Sequence, residues 1–221
     1  MSVTTPTPPR VTYYIDGFNL YHGLTEHTKT RDYKWLNLWE LALDLLLPNH
    51  ALDRVVYFTS VPPWNAAKAR RHETYISAVE SFGVVETVRG HFQHDDTVCR
   101  ATCGELYQRP VEKLTDVNIA TRILRDGISD KFDWAYLVSA DSDQAPTLST
   151  LRAMTSKPKV RVIFPPRRRS TELRQLADAC MGEITPRTIR RNQLPHTITR
   201  GKRTIQIPSE WVKNQGSGPS H

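Results

Sequence analysis

Apolar residues fall in short blocks of two kinds along the chain. Val11-Thr12-Tyr13-Tyr14-Ile15, Arg54 to Ser60, Trp134 to Ser139 and Val160 to Phe164 are dense in β-branched and aromatic residues, the mark of strands covered on both faces. Val84 to about Phe92 is a further, more polar strand. Between these runs, apolar residues recur at helical spacing: around Leu38 to Leu47, from about Asn65 to Phe82, Thr115 to Arg125, Pro146 to Met154, and Ser170 to about Cys180. Strand alternating with helix predicts an α/β domain, a mainly parallel sheet flanked by helices. The punctuation agrees. Asn37 is placed to cap a helix that Pro48 ends, and Gly83 follows the next helix where a left-handed residue belongs. The helix after Thr115 is expected to bury Val117, Ala120 and Leu124 and to carry Asp116 in its first turn, where an acid suits the helix dipole. Asp16-Gly17-Phe18-Asn19 reads as a turn, and the polar, aperiodic stretch from His94 to Pro110 reads as an excursion from the sheet.

With 221 residues, 38% of them hydrophobic, the chain is long enough for one well-buried domain and a modest appendage. The expected division is a disordered segment 1–10, a domain 11–185 and a basic extension 186–221 with a disordered end. Within that extension Thr204-Ile205-Gln206-Ile207 is a candidate edge strand and Trp211 a candidate anchor. No apolar run approaches the roughly 18–20 residues that span a bilayer, and Met1 to Pro9 is rich in Thr and Pro rather than basic and apolar. Cys99, Cys103 and Cys180, an odd number, make no disulfide framework. These features predict a soluble cytoplasmic protein that avoids membranes; a homo-oligomer is compatible with them.

Charge changes the picture. Residues 1–156 hold 16 Lys and Arg against 19 Asp and Glu, whereas residues 157–221 hold 14 against 4. A basic C-terminal third beside clustered acids suggests a polyanionic partner such as a nucleic acid, with cationic side chains on phosphates and carboxylates on a cation; a solubilising tail is the bland alternative.

Four aspartates sit where strands should end or a helix begin. Asp16 closes the first run, Asp141 and Asp143 close Trp134 to Ser139, and Asp116 opens its helix. Sites in open α/β sheets lie beyond the carboxyl ends of strands. Asp141 and Asp143 are two apart, so in an extended segment they share a face. Hard divalent cations prefer oxygen ligands, and four carboxylates are ample for Mg²⁺ or Mn²⁺. Each acid alone has a bland explanation as a turn or helix cap. Together, like charges without a cation would weaken the fold, which favours a metal site.

Tyr14-Ile15-Asp16-Gly17-Phe18-Asn19-Leu20-Tyr21, Lys113-Leu114-Thr115-Asp116-Val117-Asn118-Ile119-Ala120 and Leu137-Val138-Ser139-Ala140-Asp141-Ser142-Asp143 resemble, in order, the three motifs of NYN domains, members of the PIN-like nuclease superfamily. The similarity spans about Val11 to Ile184; Ser170-Thr171-Glu172-Leu173 and Ile207-Pro208 with Trp211 resemble the family more loosely. The resemblance implies a three-layer PIN-like sandwich and a ribonuclease in which Asp16, Asp116, Asp141 and Asp143 bind Mg²⁺ or Mn²⁺ and activate water. It gives Asn19 and Ser139 supporting roles. Gln144 stands where the family often has a bulky apolar residue.

Further candidates surround this set. Arg167, Arg168 and Arg169, just before the Ser170 helix start, are candidate phosphate contacts, as are Lys113 and Arg122 near Asp116. Phe18, Tyr21 and Trp64 are candidates for stacking on bases, provided that an exposed ring lies beside the acids. His91, His94, Cys99 and Cys103 are zinc-ligand types at a spacing that fits no compact knuckle. The sequence lacks a Gly-rich phosphate loop, a second acid two residues after Asp16 as in haloacid-dehalogenase-like phosphatases, and a Gly-x-Ser-x-Gly elbow. A PIN-like module that binds RNA without useful turnover is the main alternative; a structure-specific DNA nuclease is another.

Overall fold

Strand β1 (Arg10–Asp16) lies inside a six-stranded parallel sheet of order β3-β2-β1-β6-β7-β8, seen in a computed structural model that describes residues 7–98, 106–155 and 158–212. The other strands of the sheet are β2 (Ala51–Thr59), β3 (Val85–Arg89), β6 (Trp134–Val138), β7 (Lys159–Phe164) and β8 (Ala179–Glu183). Side chains alternate between faces along a strand, and in β1, β2, β6 and β7 both faces are largely buried. Tyr13, Ile15, Tyr57, Tyr136 and Val138 enter one core layer, while Tyr14, Val56, Phe58, Ala135 and Leu137 enter the other. This is why the strand sequences read as unbroken apolar runs.

Helices complete three layers. Over the first face lie α1 (Gly17–Glu26), α2 (Leu38–Asp44) and α3 (Ala66–Glu80), which contribute Leu20, Leu41 and Val79. Over the second lie α4 (Thr115–Ile128), α5 (Ala145–Ala153) and α6 (Thr171–Leu176), which contribute Ile123, Leu148 and Leu173. The Asn37 side chain accepts from Trp39 and Glu40 N–H, and that of Asn65 from Lys68 N–H; such caps contribute about 1 kcal/mol each. Gly83 takes φ +69°, as its position after a helix requires.

The structure departs from the sequence expectation at four places. Asp16 to Asn19 is no isolated turn: Asp16 caps α1, which starts at Gly17. The strand expected to run to Phe92 breaks at Gly90, and β4 (His91–Val98) pairs antiparallel with β5 (Leu106–Lys113) as a separate ribbon. The last helix of the domain stops at Leu176, and β8 then joins β7 in parallel. Helix α4 turns another face inward: Ile119, Arg122, Ile123 and Asp126 are buried, whereas Val117 is 56% exposed. Arg122 and Asp126 neutralise each other, so a hydrophobicity pattern cannot detect that stripe.

Beyond residue 185 the chain forms α7 (Pro186–Arg191), the hairpin β9 (Thr197–Arg200) and β10 (Arg203–Gln206), and the short α8 (Ser209–Val212). Strand β10 pairs with β9 and not with an edge of the main sheet. Ile189, Leu194, Ile198, Ile205 and Ile207 join the first core layer, and Trp211 packs against Trp35 and Tyr75. These residues are integral to the domain's packing. The disorder expected at the two termini falls largely on residues 1–6 and 213–221, outside the described residues.

Candidate metal centre

The strand order reverses between β1 and β6, since the chain steps outward from β1 through β2 to β3 and returns to build β6, β7 and β8 on the other side. Helices leaving two neighbouring strands in opposite directions open a crevice at their carboxyl ends. Register pairs Ile15 with Val138, so Asp16 and Ser139 leave the sheet side by side.

Three acids meet in this crevice. Asp16, Asp116 and Asp141 each offer a carboxylate oxygen, and the three oxygens lie within 4.8 Å of one another. Asp16 is 3% exposed, and both its oxygens are committed locally: Oδ1 accepts from Asn19 N–H at 2.9 Å and Oδ2 from the Ser139 hydroxyl at 2.8 Å. Ser139 Oγ in turn accepts from Asp141 N–H at 3.1 Å, so one buried hydroxyl sets the spacing of two acids. Asn19 Oδ1 accepts from Ala140 N–H at 3.1 Å, which ties the start of α1 to the segment after β6. Asp116 arrives on the first turn of α4, after Leu114 in a left-handed conformation with φ +73°.

Backbone packing explains Gly17. A Cβ there would lie 2.4 Å from the Phe58 carbonyl oxygen and 2.6 Å from the Tyr57 ring, so only glycine lets α1 start this close to β2. Tyr57 is buried beside the acids. Burial first, with the Asp16 charge adding, pushes its phenol up to about 12, although a hydrogen bond to Thr59 pulls the other way.

The remaining candidates are distributed as follows. Asp143 is exposed and stands outside the trio; its N–H donates to Asp141 Oδ1 at 3.0 Å, opening a short 3₁₀ turn. Arg122 is only 9% exposed and is held between Asp126 at 2.6 Å and Glu86 at 2.6 Å, so its charge is already matched within the fold. Arg167, Arg168 and Arg169 lie in the loop after β7: Arg168 pairs with Glu26 at 2.7 Å and Arg169 with Glu183 at 2.6 Å, while Arg167 donates its backbone N–H to Glu183 at 2.8 Å and its guanidinium to the Glu26 carbonyl at 3.4 Å. The Lys113 and His94 side chains, with Cys99 and Cys103, fall outside the described residues, and the zinc question with them. Cys180 is a free, exposed thiol.

Sequence reasoning missed Gln144 as a site residue. It is 1% exposed, donates to the Asp116 carbonyl at 3.2 Å and accepts from the Thr147 hydroxyl at 3.2 Å. It thereby locks the start of α4, with Asp116, to the segment bearing Asp141. The signal was its departure from an apolar family position. Also missed was a cavity of about 480 Å³ opening beside the acids, which Gly17, Tyr57 and Ser60 border; the Ser60 hydroxyl lies 3.3 Å from that of Thr115, next to Asp116.

A parallel α/β sandwich with acids gathered at its switch point defines the class of PIN-like folds. The chain matches the NYN domain family over residues 10–182 and belongs to that family, whose character is nuclease-like. It is also similar to the 6-hydroxy-3-succinoylpyridine 3-monooxygenase HspA of Pseudomonas putida, with 29% identity over 92% of this chain and 76% of that protein. A solved structure of a Vibrio parahaemolyticus protein of unknown function superposes with a TM-score of 0.51 at 16% identity, covering 81% of this chain and 96% of that one, a likeness of fold. No helix among the described residues is long and apolar enough to cross a membrane.

Proposed function

We propose that the protein is a metal-dependent ribonuclease that hydrolyses phosphodiester bonds within single-stranded RNA. The observation that carries this reading is the meeting of three carboxylates from three separate motifs within 4.8 Å. That donor set, all oxygen and close-spaced, suits Mg²⁺ or Mn²⁺, which take few carboxylates directly and leave room for water and phosphate oxygens. A bound divalent ion would supply Lewis acidity toward water and toward the phosphoryl and leaving oxygens.

The chain's own residues supply position. Asp16, Asp116 and Asp141 would hold the ion. Ser139 and Asn19 fix the rotamer of Asp16 through the 2.8 Å and 2.9 Å bonds, and Gln144 holds the backbone of Asp116. Asp143, exposed two residues beyond Asp141, would reach the ion through water. Arg167, Arg168 and Arg169, at the same ends of the strands, draw phosphates inward once an RNA strand competes with the carboxylates now paired with Arg168 and Arg169.

The test is end-labelled single-stranded RNA incubated with Mn²⁺ or with EDTA, with Asp141→Asn as the contamination control. Cleavage with Mn²⁺ alone, lost in the variant, is the expected result. Binding without cleavage would instead make the domain an RNA-binding module, and the reading would fall.

A second reading has its own support: the P. putida relative is named as a monooxygenase of a pyridine, and a cavity with aromatic walls borders the acids here. On that reading the acids serve the turnover of a small heteroaromatic compound. Oxygen uptake with 6-hydroxy-3-succinoylpyridine and an external reductant, absent without the pyridine, would favour it over RNA cleavage.

A further inference from the structure

We propose that the cavity beside the acids is a binding site for a planar aromatic ring carrying a negatively charged group, held between the rings of Phe18, Tyr21 and Trp64 and the cations Lys34, Lys68 and Arg71. At about 480 Å³ it falls within the usual size range of ligand pockets. Its chemistry is one-sided. Among the described residues no aspartate or glutamate lines it, although the metal-type trio lies next door. It is therefore a compartment distinct in charge from the acid centre, and the inference stands whichever reaction that centre performs.

The aromatic side is built and open. Phe18, Tyr21 and Trp64 are 48%, 47% and 48% exposed, an unusual state for large rings unless a partner covers them. They are also steadied from behind. Trp64 meets the edge of Phe92 with ring centroids 4.6 Å apart, and Phe18 meets His22 at 4.4 Å. A steadied, half-open ring offers its face to a guest at little entropic cost. Behind them Leu36 and Tyr57, 1% and 5% exposed, give the cavity an apolar floor.

The cationic side is only partly matched by anions among the described residues. Lys34 and Lys68 make no ion pair among the described residues, and Arg71 pairs with the exposed Glu210 at 2.8 Å. Burial lowers the Lys34 pKa; Asp32 opposes that, and Arg71 and Lys68 add to it. An incoming carboxylate or phosphate would relieve that crowding. Two sources share this chemistry: a nucleotide of an RNA strand whose neighbouring phosphate reaches the acids, and a free heteroaromatic acid.

Calorimetric titration of the full chain in EDTA tests the site without turnover, with pyridine-3-carboxylate and 5′-UMP as probes and pyridine-3-carboxamide and uridine as their uncharged counterparts. At least one charged probe should bind, at least tenfold more tightly than its counterpart. Lys34→Gln and Trp64→Ala should each weaken it fivefold or more, whereas Lys131→Gln, at the opposite ends of the strands, should leave it within twofold. Binding of the nucleotide alone assigns the site to RNA; binding of the pyridine alone assigns it to a small acid. No binding by either, or equal affinity for charged and uncharged probes, overturns the proposal. Unfolding curves of the two variants that match the wild type show that any loss is local. RNA cleavage is scored separately, so failure of the nuclease reading leaves this result intact.

Discussion

Helix α4 carries two aspartates, and they live in opposite surroundings. Asp126 is met by Arg122 at 2.6 Å and by the Tyr14 hydroxyl at 3.1 Å, while Glu86 grips the other side of Arg122 at 2.6 Å. Burial, and secondly Asp126, drive the Tyr14 phenol far above its ordinary range, so it acts as a fixed donor. Ten residues earlier, Asp116 is drawn toward two further carboxylates. The difference separates two uses of charge. Where a buried carboxylate meets a buried guanidinium, the pair holds helix to sheet; where three carboxylates converge, their spacing suits a cation.

Substitution tests that contrast. The largest effect is expected at the acid trio: Asp141→Asn should lower single-turnover RNA cleavage at least ~100-fold, because a ligand that positions the ion has gone. Its stability without metal should equal or exceed that of the wild type, and the rise in melting temperature on adding Mn²⁺ should shrink. Arg122→Ala should do the reverse. Stranding Asp126, it should cost about 3–5 kcal/mol in urea unfolding and, in the fraction that stays folded, leave metal affinity nearly unchanged. Equal stability losses in both variants would dissolve the distinction.

Gly17→Ala comes next. Its Cβ would strike the Phe58 carbonyl at 2.4 Å, and the forced shift of α1 should cost about 1–3 kcal/mol while displacing Asp16, so stability and cleavage should fall together.

The smallest effect concerns pH. His72 donates or accepts at Thr59 Oγ1 over 2.9 Å, and burial lowers its pKa from the ordinary 6.5. The folded state therefore resists taking up that proton. Its contribution is complete above the ordinary value and declines as pH falls through 6.5 toward the folded value, so the urea midpoint should drop from pH 7 to pH 5 and His72→Gln should flatten that slope. Glu86 acts in a lower window. Its hydrogen bond to Arg122 depresses its pKa from 4.5, so its contribution persists above that value and is lost only on further acidification.

Much of this architecture was legible in the sequence, and the exceptions share a cause. β1, β2, β6 and β7 announce themselves because both faces of each are buried, and the acids because they sit at strand ends and a helix start. Helix α1 was hidden by Gly17 and Gly23, residues unfavourable to helices but present here because neighbouring backbone leaves no space for a Cβ. β8 was hidden by a Cys-Met-Gly core of low strand propensity that its pairing with β7 overrides. The buried face of α4 was misread because half of it is an ion pair. The cavity escaped notice because its walls come from α1, the end of β2, α3 and Trp211, a meeting that only the fold creates.

The family match ends at residue 182, but the first core layer does not: Ile184, Ile189, Leu194, Ile198, Ile205 and Ile207 continue it. A gene shortened to the matched region would encode a first core layer with part of its apolar surface uncovered, missing also the tryptophan that helps wall the cavity. Such a truncated product should clump when expressed, and an inactive preparation of it would say nothing about the full chain.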